Sequence, residues 1–282
     1  MTIRIVSDSS SDLLELPDID YRTVPLKVMF GSREYIDELG TDVEGMALAL
    51  QEHNGPSTTS CPNSQEWLNA FDGADELFAV TISSALSASY DSAEMAVREF
   101  QRKNPAAKAH IFDSRATGPV LRLIIDTLRG CILDGKTWEE TRDETIAYQK
   151  RTRILYSLES LGNLARNGRV NAHIARIAAA LNIRVIGHAS DEGAIELLHR
   201  CRGEKRALKT LVKEMVERGC TGGVAHIDHC LNHKAALALK ELVQEHIPNI
   251  DVHVNPCGAL CSYYADMGGL IVGYEVDPAA AS

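Results

Sequence analysis

The chain has 282 residues, 45% hydrophobic and 24% charged, with a formal net charge of −10. That length suits one large domain or two ordinary ones, with enough apolar content to bury a core without a metal or disulfide. The acidic balance argues against a nucleic-acid partner, whose phosphates call for clustered lysine and arginine. Two short basic spots, "QKRTR" over Gln149–Arg153 and "HRCRGEKR" over His199–Arg206, read first as solvated surface and second as contacts for a partner or an anionic membrane. Seven cysteines, an odd number with no CxxC pair, fit a reduced, cytoplasmic chain. The N-terminus has no signal-like apolar run, and no stretch approaches membrane-spanning length.

In chain order, a β-branched run at Ile3–Val6 ends in "SDSSSD". Helical patterns follow at Val43–Gln51 and Ser64–Phe71. A second run, Leu77–Ile82, ends in "SSALSAS" before a helix over Ser89–Lys103. A third, Ala109–Phe112, ends in "DSRATGP", and helices fit Val120–Asp134 and Thr137–Thr152. Short apolar strands alternating with helices predict βαβ units and a parallel sheet covered on both faces. Beyond Arg151 the pattern changes. "RILYSLESL" starts as a strand and turns helical, and "ARNGRVNAHIARIAAAL" follows it. "IRVIGHASDEGAIELLHRCRG" reads as two strands joined at Asp-Glu-Gly. A helix over Glu204–Glu217, a strand over Gly223–Ile227, a helix over Lys234–His246 and strands over Asp251–Val254 and Leu270–Tyr274 complete the chain. The expected fold is therefore two-domain α/β. An N-terminal α/β/α domain with a parallel sheet spans 1–151, and a C-terminal α/β domain with a mixed or antiparallel sheet spans 152–282. No Pro/Gly/Ser linker separates them, so they are expected to pack together.

All three N-terminal strands end in Ser/Asp-rich turns, at the carboxyl edge where open α/β sheets hold ligands. "AVTISSALSASYDSA", Ala79–Ala93, places five serines and a threonine at one strand-to-helix junction. Simple N-capping needs one serine, so Ser83 and Ser84 read as an anion site built with free backbone N–H groups. A serine nucleophile is the competing reading. It needs a base brought from elsewhere in the chain, and no GxSxG elbow is present. "TTSCPNSQEW", Thr58–Trp67, is a second hydroxyl-rich turn before a helix. Arg169, in the turn Gly168–Val170, is either a surface charge or a guanidinium for a carboxylate or phosphate. His229 and His233 stand beside Asp228 and Cys230, with Cys257 and Cys261 further on, but the set lacks the tight paired spacing of a zinc site. The chain has no Walker A loop and no GxGxxG, so nucleotide use is not indicated.

Taken in order, these residues resemble the DegV family of fatty-acid-binding proteins, which includes the FakB-type component of bacterial fatty acid kinase. "IVSDSSSDL" resembles the family's opening strand and turn, "TSCPNS" its T-S-x-P-S loop, and "TISSALSASYDSA" its I-S-S-x-L-S-G-T-Y-x-S-A segment. "FDSRATGP", "LGNLARNGRV", "LNIRVI", "DEG" and "CRGEKRALK" continue the likeness over nearly the whole chain. The resemblance implies an acyl chain buried between the two domains. Its carboxylate would be held by Thr59, Ser83 and the Ser84 backbone N–H, with Arg169 nearby and Ser60, Ser9 and Tyr264 as further candidates. It implies no catalytic residue, metal or cofactor in this chain. The partners would be a long-chain fatty acid, a separate kinase that phosphorylates the bound carboxylate with ATP, and transiently a membrane.

The chain departs from the family pattern in four places. Tyr264 falls where the family has histidine, Asp266 and Met267 replace a Gly-Pro pair, Ala88 and Ser89 stand for Gly-Thr, and Val185 stands for proline. A lipid ligand is energetically reasonable. Burying a sixteen-carbon chain at about 0.8 kcal/mol per CH₂ gains on the order of 10 kcal/mol, offset by the ordering of chain and ligand. The alternatives are a serine-dependent acyl hydrolase or transferase, and a lipid-responsive regulator with no kinase partner.

Overall fold

The computed structural model describes residues 2–171 and 182–280. The run "AHIARIAAAL", 172–181, lies outside the described residues.

Four strands form a parallel sheet in the order β2–β1–β6–β7: β1 Ile3–Asp8, β2 Asp20–Val24, β6 Glu76–Thr81 and β7 Lys108–Asp113. The two-residue period of a strand sends alternate side chains to opposite faces. Val6, Leu77 and Ala79 pack on helices α2 (Ser64–Phe71) and α3 (Ser89–Lys103). Ile5, Phe78, Val80 and Phe112 pack on α4 (Pro119–Leu133) and α5 (Trp138–Gln149). Helix α3 buries Ala93, Ala96, Val97 and Phe100, the spacing of one helical face. Capping boxes at Asn63/Glu66 and Thr137/Glu140 set the starts of α2 and α5.

Six further strands form a mixed sheet in the order β10–β9–β8–β13–β11–β12. They are β8 Thr152–Leu158, β9 Ile183–Ala189, β10 Ile195–Arg202, β11 Gly223–His229, β12 Ile250–Pro256 and β13 Leu270–Glu275. Only β11 and β12 run parallel; the other neighbours are antiparallel. Helices α7 (Glu204–Glu217) and α8 (His233–His246) cover one face. The other face meets α4, which packs against β11 and β13 as well as the parallel sheet. One apolar core therefore runs from Ile5 and Phe78 through α4 to Ile154, Leu158 and Ile271.

A small antiparallel sheet, β4–β3–β5, is absent from the sequence-based expectation: β3 Lys27–Phe30, β4 Arg33–Ile36 and β5 Ser57–Ser60. It packs against α1 (Val43–Glu52) and α9 (Ala259–Ala265) through Val28, Phe30, Met46, Ala259 and Tyr263. Short helix α6 (Gly162–Arg166) follows β8. Among the described residues no helix is long and apolar enough to cross a membrane. All seven cysteines are free thiols, six of them buried.

Candidate functional site

A cavity of about 310 Å³ lies between the parallel and mixed sheets. Its walls are mostly apolar: Ile82 and Leu86 come from the turn after β6, and Ile154, Leu158 and Ile271 from the mixed sheet, which also contributes Tyr156 and His188. One end is polar. Thr59 and Ser60 enter on β5, Arg169 from the turn after α6, and Tyr264 from α9. Thr59 Oγ1 and the Tyr264 hydroxyl lie 2.8 Å apart. Arg169 Nε donates to Leu86 O (3.0 Å) and Nη1 to Asn167 O (2.5 Å), which hold its guanidinium at the cavity. Burial raises the Tyr264 phenol above its usual range, although Thr59 and Arg169 oppose the shift. The polar end therefore offers two neutral hydroxyls beside one permanent cation, a set suited to a carboxylate.

The position of Tyr264 is fixed from the other half of the chain. The first N–H groups of α9 point at two buried carboxylates. Gly258 N donates to Asp12 Oδ1 (2.9 Å), and Ala259 N and Leu260 N donate to Asp37 (2.6 and 3.3 Å). Anionic side chains at a helix N-terminus satisfy orphan donors and complement the helix dipole. Burial raises Asp37 to about 6 and Asp12 well above the usual carboxylate range, the latter also because Asp228 and Asp37 are close. Asp12 closes the "SDSSSD" turn, so part of that motif works as a fastening for the helix that carries Tyr264.

The serine-rich junction is arranged differently from the expectation. Ser83 is fully buried, does not line the cavity, and donates through Oγ to Gly193 O (2.9 Å). Ser84 is exposed, and both its backbone N–H and its hydroxyl donate to Asp113 (3.1 and 2.6 Å). Ser89 donates to Asp8 Oδ2 (2.7 Å), which also accepts Ile82 N (3.0 Å); Ser10 Oγ reaches Asp8 Oδ1 (2.5 Å). The hydroxyls of Ser83, Ser84 and Ser89 thus tie the junction to neighbouring turns and strand ends, and Ser87, not singled out from the sequence, lines the cavity. Ser9 is buried away from the cavity, accepts Leu26 N (3.0 Å) and hydrogen-bonds Asp37. Neither Ser83 nor Ser84 is paired with a histidine among the described residues.

The histidine-cysteine cluster does not converge. His233 Nδ1 and His229 Nε2 are 3.2 Å apart, whereas Asp228 accepts Asn255 Nδ2 (3.0 Å) on the other face of β11. Among the described residues, no group of three or more His, Cys, Asp or Glu side chains could hold a metal ion. Cys261 and Cys61 instead line the cavity. Asp37 was missed from the sequence, because nothing in "YIDELG" announces a partner 222 residues away.

The fold and site define a two-domain α/β protein with an apolar cavity at the domain seam and hydroxyls and a guanidinium at one end. Residues 2–276 match the model of the family described as "Uncharacterised protein, DegV family", and the chain belongs to that family. A DegV domain-containing protein of Streptococcus gordonii is 35% identical over 280 residues, covering 98% of this chain and 100% of the relative. The structure resembles a DegV family protein of Eubacterium eligens loaded with heptadecanoic acid: TM-score 0.95, 38% identity, 98% of this chain and 100% of that one. It also resembles the Streptococcus pneumoniae fatty acid kinase B3 protein loaded with linoleic acid: TM-score 0.96, 34% identity, with the same coverage.

Proposed function

We propose that this chain is a fatty-acid-binding protein that holds a long-chain acid between domains 1–151 and 152–282 and presents its carboxylate to a separate ATP-dependent fatty acid kinase. The observation that carries this reading is the cluster of polar groups at one end of a mostly apolar cavity, with Thr59 and Tyr264 2.8 Å apart and Arg169 beside them. An apolar tail fills the aliphatic walls, and a carboxylate accepts from both hydroxyls and pairs with the guanidinium. Ser60 and Ser87 flank that end. Ser83 and Ser84 serve it from behind, by fixing the turn that carries Leu86 and the Gly193 turn opposite. The chain binds rather than transforms its ligand, and it uses no cofactor or metal. The kinase partner is proposed from the likeness to the S. pneumoniae kinase B3 protein. Free thiols throughout support a cytoplasmic setting, with membrane contact limited to lipid exchange. The acidic chain is not a nucleic-acid binder.

Thr59→Ala and Tyr264→Phe test the cradle. Each removes a hydrogen bond to a charged group, which is worth roughly 1.5–3 kcal/mol, so fatty-acid affinity falls about ten- to a hundredfold. Titration with a fluorescent fatty acid measures that loss, and a melting curve checks that the fold survives. Unchanged affinity in both variants would show that the carboxylate lies elsewhere.

A further inference from the structure

The basic spot "QKRTR" plays no part in the lipid cavity. Gln149, Lys150, Thr152 and Arg153 instead line a second hollow of about 500 Å³ on the other side of a thin wall. Ala116, Ile154 and Ala189 line both spaces. Arg115 joins the rim from the turn after β7, and Asp191 from the turn between β9 and β10. Among the described residues, Arg115, Lys150 and Arg153 form no ion pair. In a chain of net charge −10, three such cations around one concavity are a local excess of positive charge that attracts anions.

Two carboxylates also line the hollow. Asp113 is committed, since its oxygens accept the Ser84 N–H, the Ser84 hydroxyl and the Arg115 N–H. Those donors are neutral, so the rim sets three cations against two carboxylates, of which only Asp191 has side-chain oxygens free to turn toward them. Arg115 also holds φ +51, a strained left-handed conformation for a long side chain, of the kind that recurs at ligand sites.

The turn Asp191–Gly193 forms one part of the partition between the two spaces. Arg115 Nη1 donates to Asp191 O (3.0 Å) from the polar side, and Ser83 Oγ donates to Gly193 O from the buried side. Gly193, at φ +85, lines the lipid cavity. A methyl group there would lie 2.2 Å from Ser83 Oγ and 2.8 Å from Arg115 Cα, so the turn is clamped between those two residues.

We propose that the second hollow binds the phosphate group of a small water-soluble molecule, and that its occupancy draws Arg115 off the turn and speeds exchange of the lipid. Two guanidinium forks and an ammonium match a dianion with three peripheral oxygens better than a single carboxylate. The exchange step rests on the fatty-acid reading above, whereas the phosphate site does not.

The test is calorimetric titration of the full chain, at constant ionic strength, with inorganic phosphate, with glycerol 3-phosphate, and with phosphatidylglycerol vesicles. Soluble phosphate is expected to bind saturably, about tenfold more weakly in Lys150→Gln and in Arg153→Gln. A melting curve of each variant separates lost binding from lost folding, and Lys150 is exposed, so its replacement leaves the fold intact. Release of a preloaded fluorescent fatty acid is expected to quicken about fivefold or more at saturating phosphate, and not in Arg115→Gln. Absence of saturable binding, binding to vesicles alone, or binding indifferent to both substitutions overturns the site. Binding without faster release overturns the coupling. A chain that takes phosphate but never a fatty acid sinks the lipid reading and leaves this site standing.

Discussion

Tyr264 sets the chemistry of the polar end. Its phenol is half-buried, stays neutral across the physiological range and lies 2.8 Å from the Thr59 hydroxyl, with the Arg169 guanidinium beside it. His188 also lines the cavity, with burial lowering its imidazole below the usual 6.5, and Asp37 behind α9 titrates at about 6. Above both, from about pH 7 to 8, fatty-acid affinity is therefore predicted to stay flat, and Tyr264→His to add a step there as its imidazole, held protonated by the bound carboxylate, loses its proton. A fluorescent-acid titration across that range measures it, and a step already present in the wild type would assign the site to other groups. At this scale the sequence was informative in part. The ordered likeness to a family singles out Thr59, Arg169 and Tyr264, and all three line one cavity. Ser83 and Ser84 were read from composition as ligand donors, yet their hydroxyls serve Gly193 and Asp113. A serine at a strand end looks the same in sequence whether it faces a ligand or a neighbouring turn.

Element boundaries followed apolar periodicity and caps. β1, β6 and β7 and helices α2 and α3 were legible because each has an uninterrupted pattern and a polar terminus. β3, β4 and β5 were not, since four-residue strands carry too few side chains to show a period. Helix α9 was missed for a different reason. Seven residues long, it is held by Asp12 and Asp37 rather than by its own sequence. That fastening has a pH signature. Asp37 titrates at about 6 in the folded chain against a reference of 3.8, because burial disfavours its charge. Its neutral form favours folding at low pH, and this contribution is lost as pH rises from 3.8 through about 6. The full loss is on the order of 3 kcal/mol. Asp37→Asn does not titrate. The wild type should therefore lose stability relative to that variant as pH rises through this window, with parallel stabilities above it. Urea melts at a series of pH values measure the difference, and a constant gap across the window would place the ionised Asp37 in a site that solvates it.

The whole molecule is organised around α4, which packs against both large sheets and closes one continuous core. The apolar cavity lies where the parallel sheet's carboxyl ends face the mixed sheet, so neither half encloses it alone. This long-range arrangement was only partly visible in the sequence. A change of pattern near Arg151 marked two halves, but the order β10–β9–β8–β13–β11–β12 returns the last strand to the sheet centre, and no local signal encodes that. The central claim is that the seam carries a fatty acid. Mass spectrometry of the purified protein, native and then after denaturing extraction, tests it most directly. One long-chain fatty acid per chain is expected, lost from the denatured protein and recovered in the extract. A protein that stays empty after incubation with a panel of saturated and unsaturated acids would contradict it.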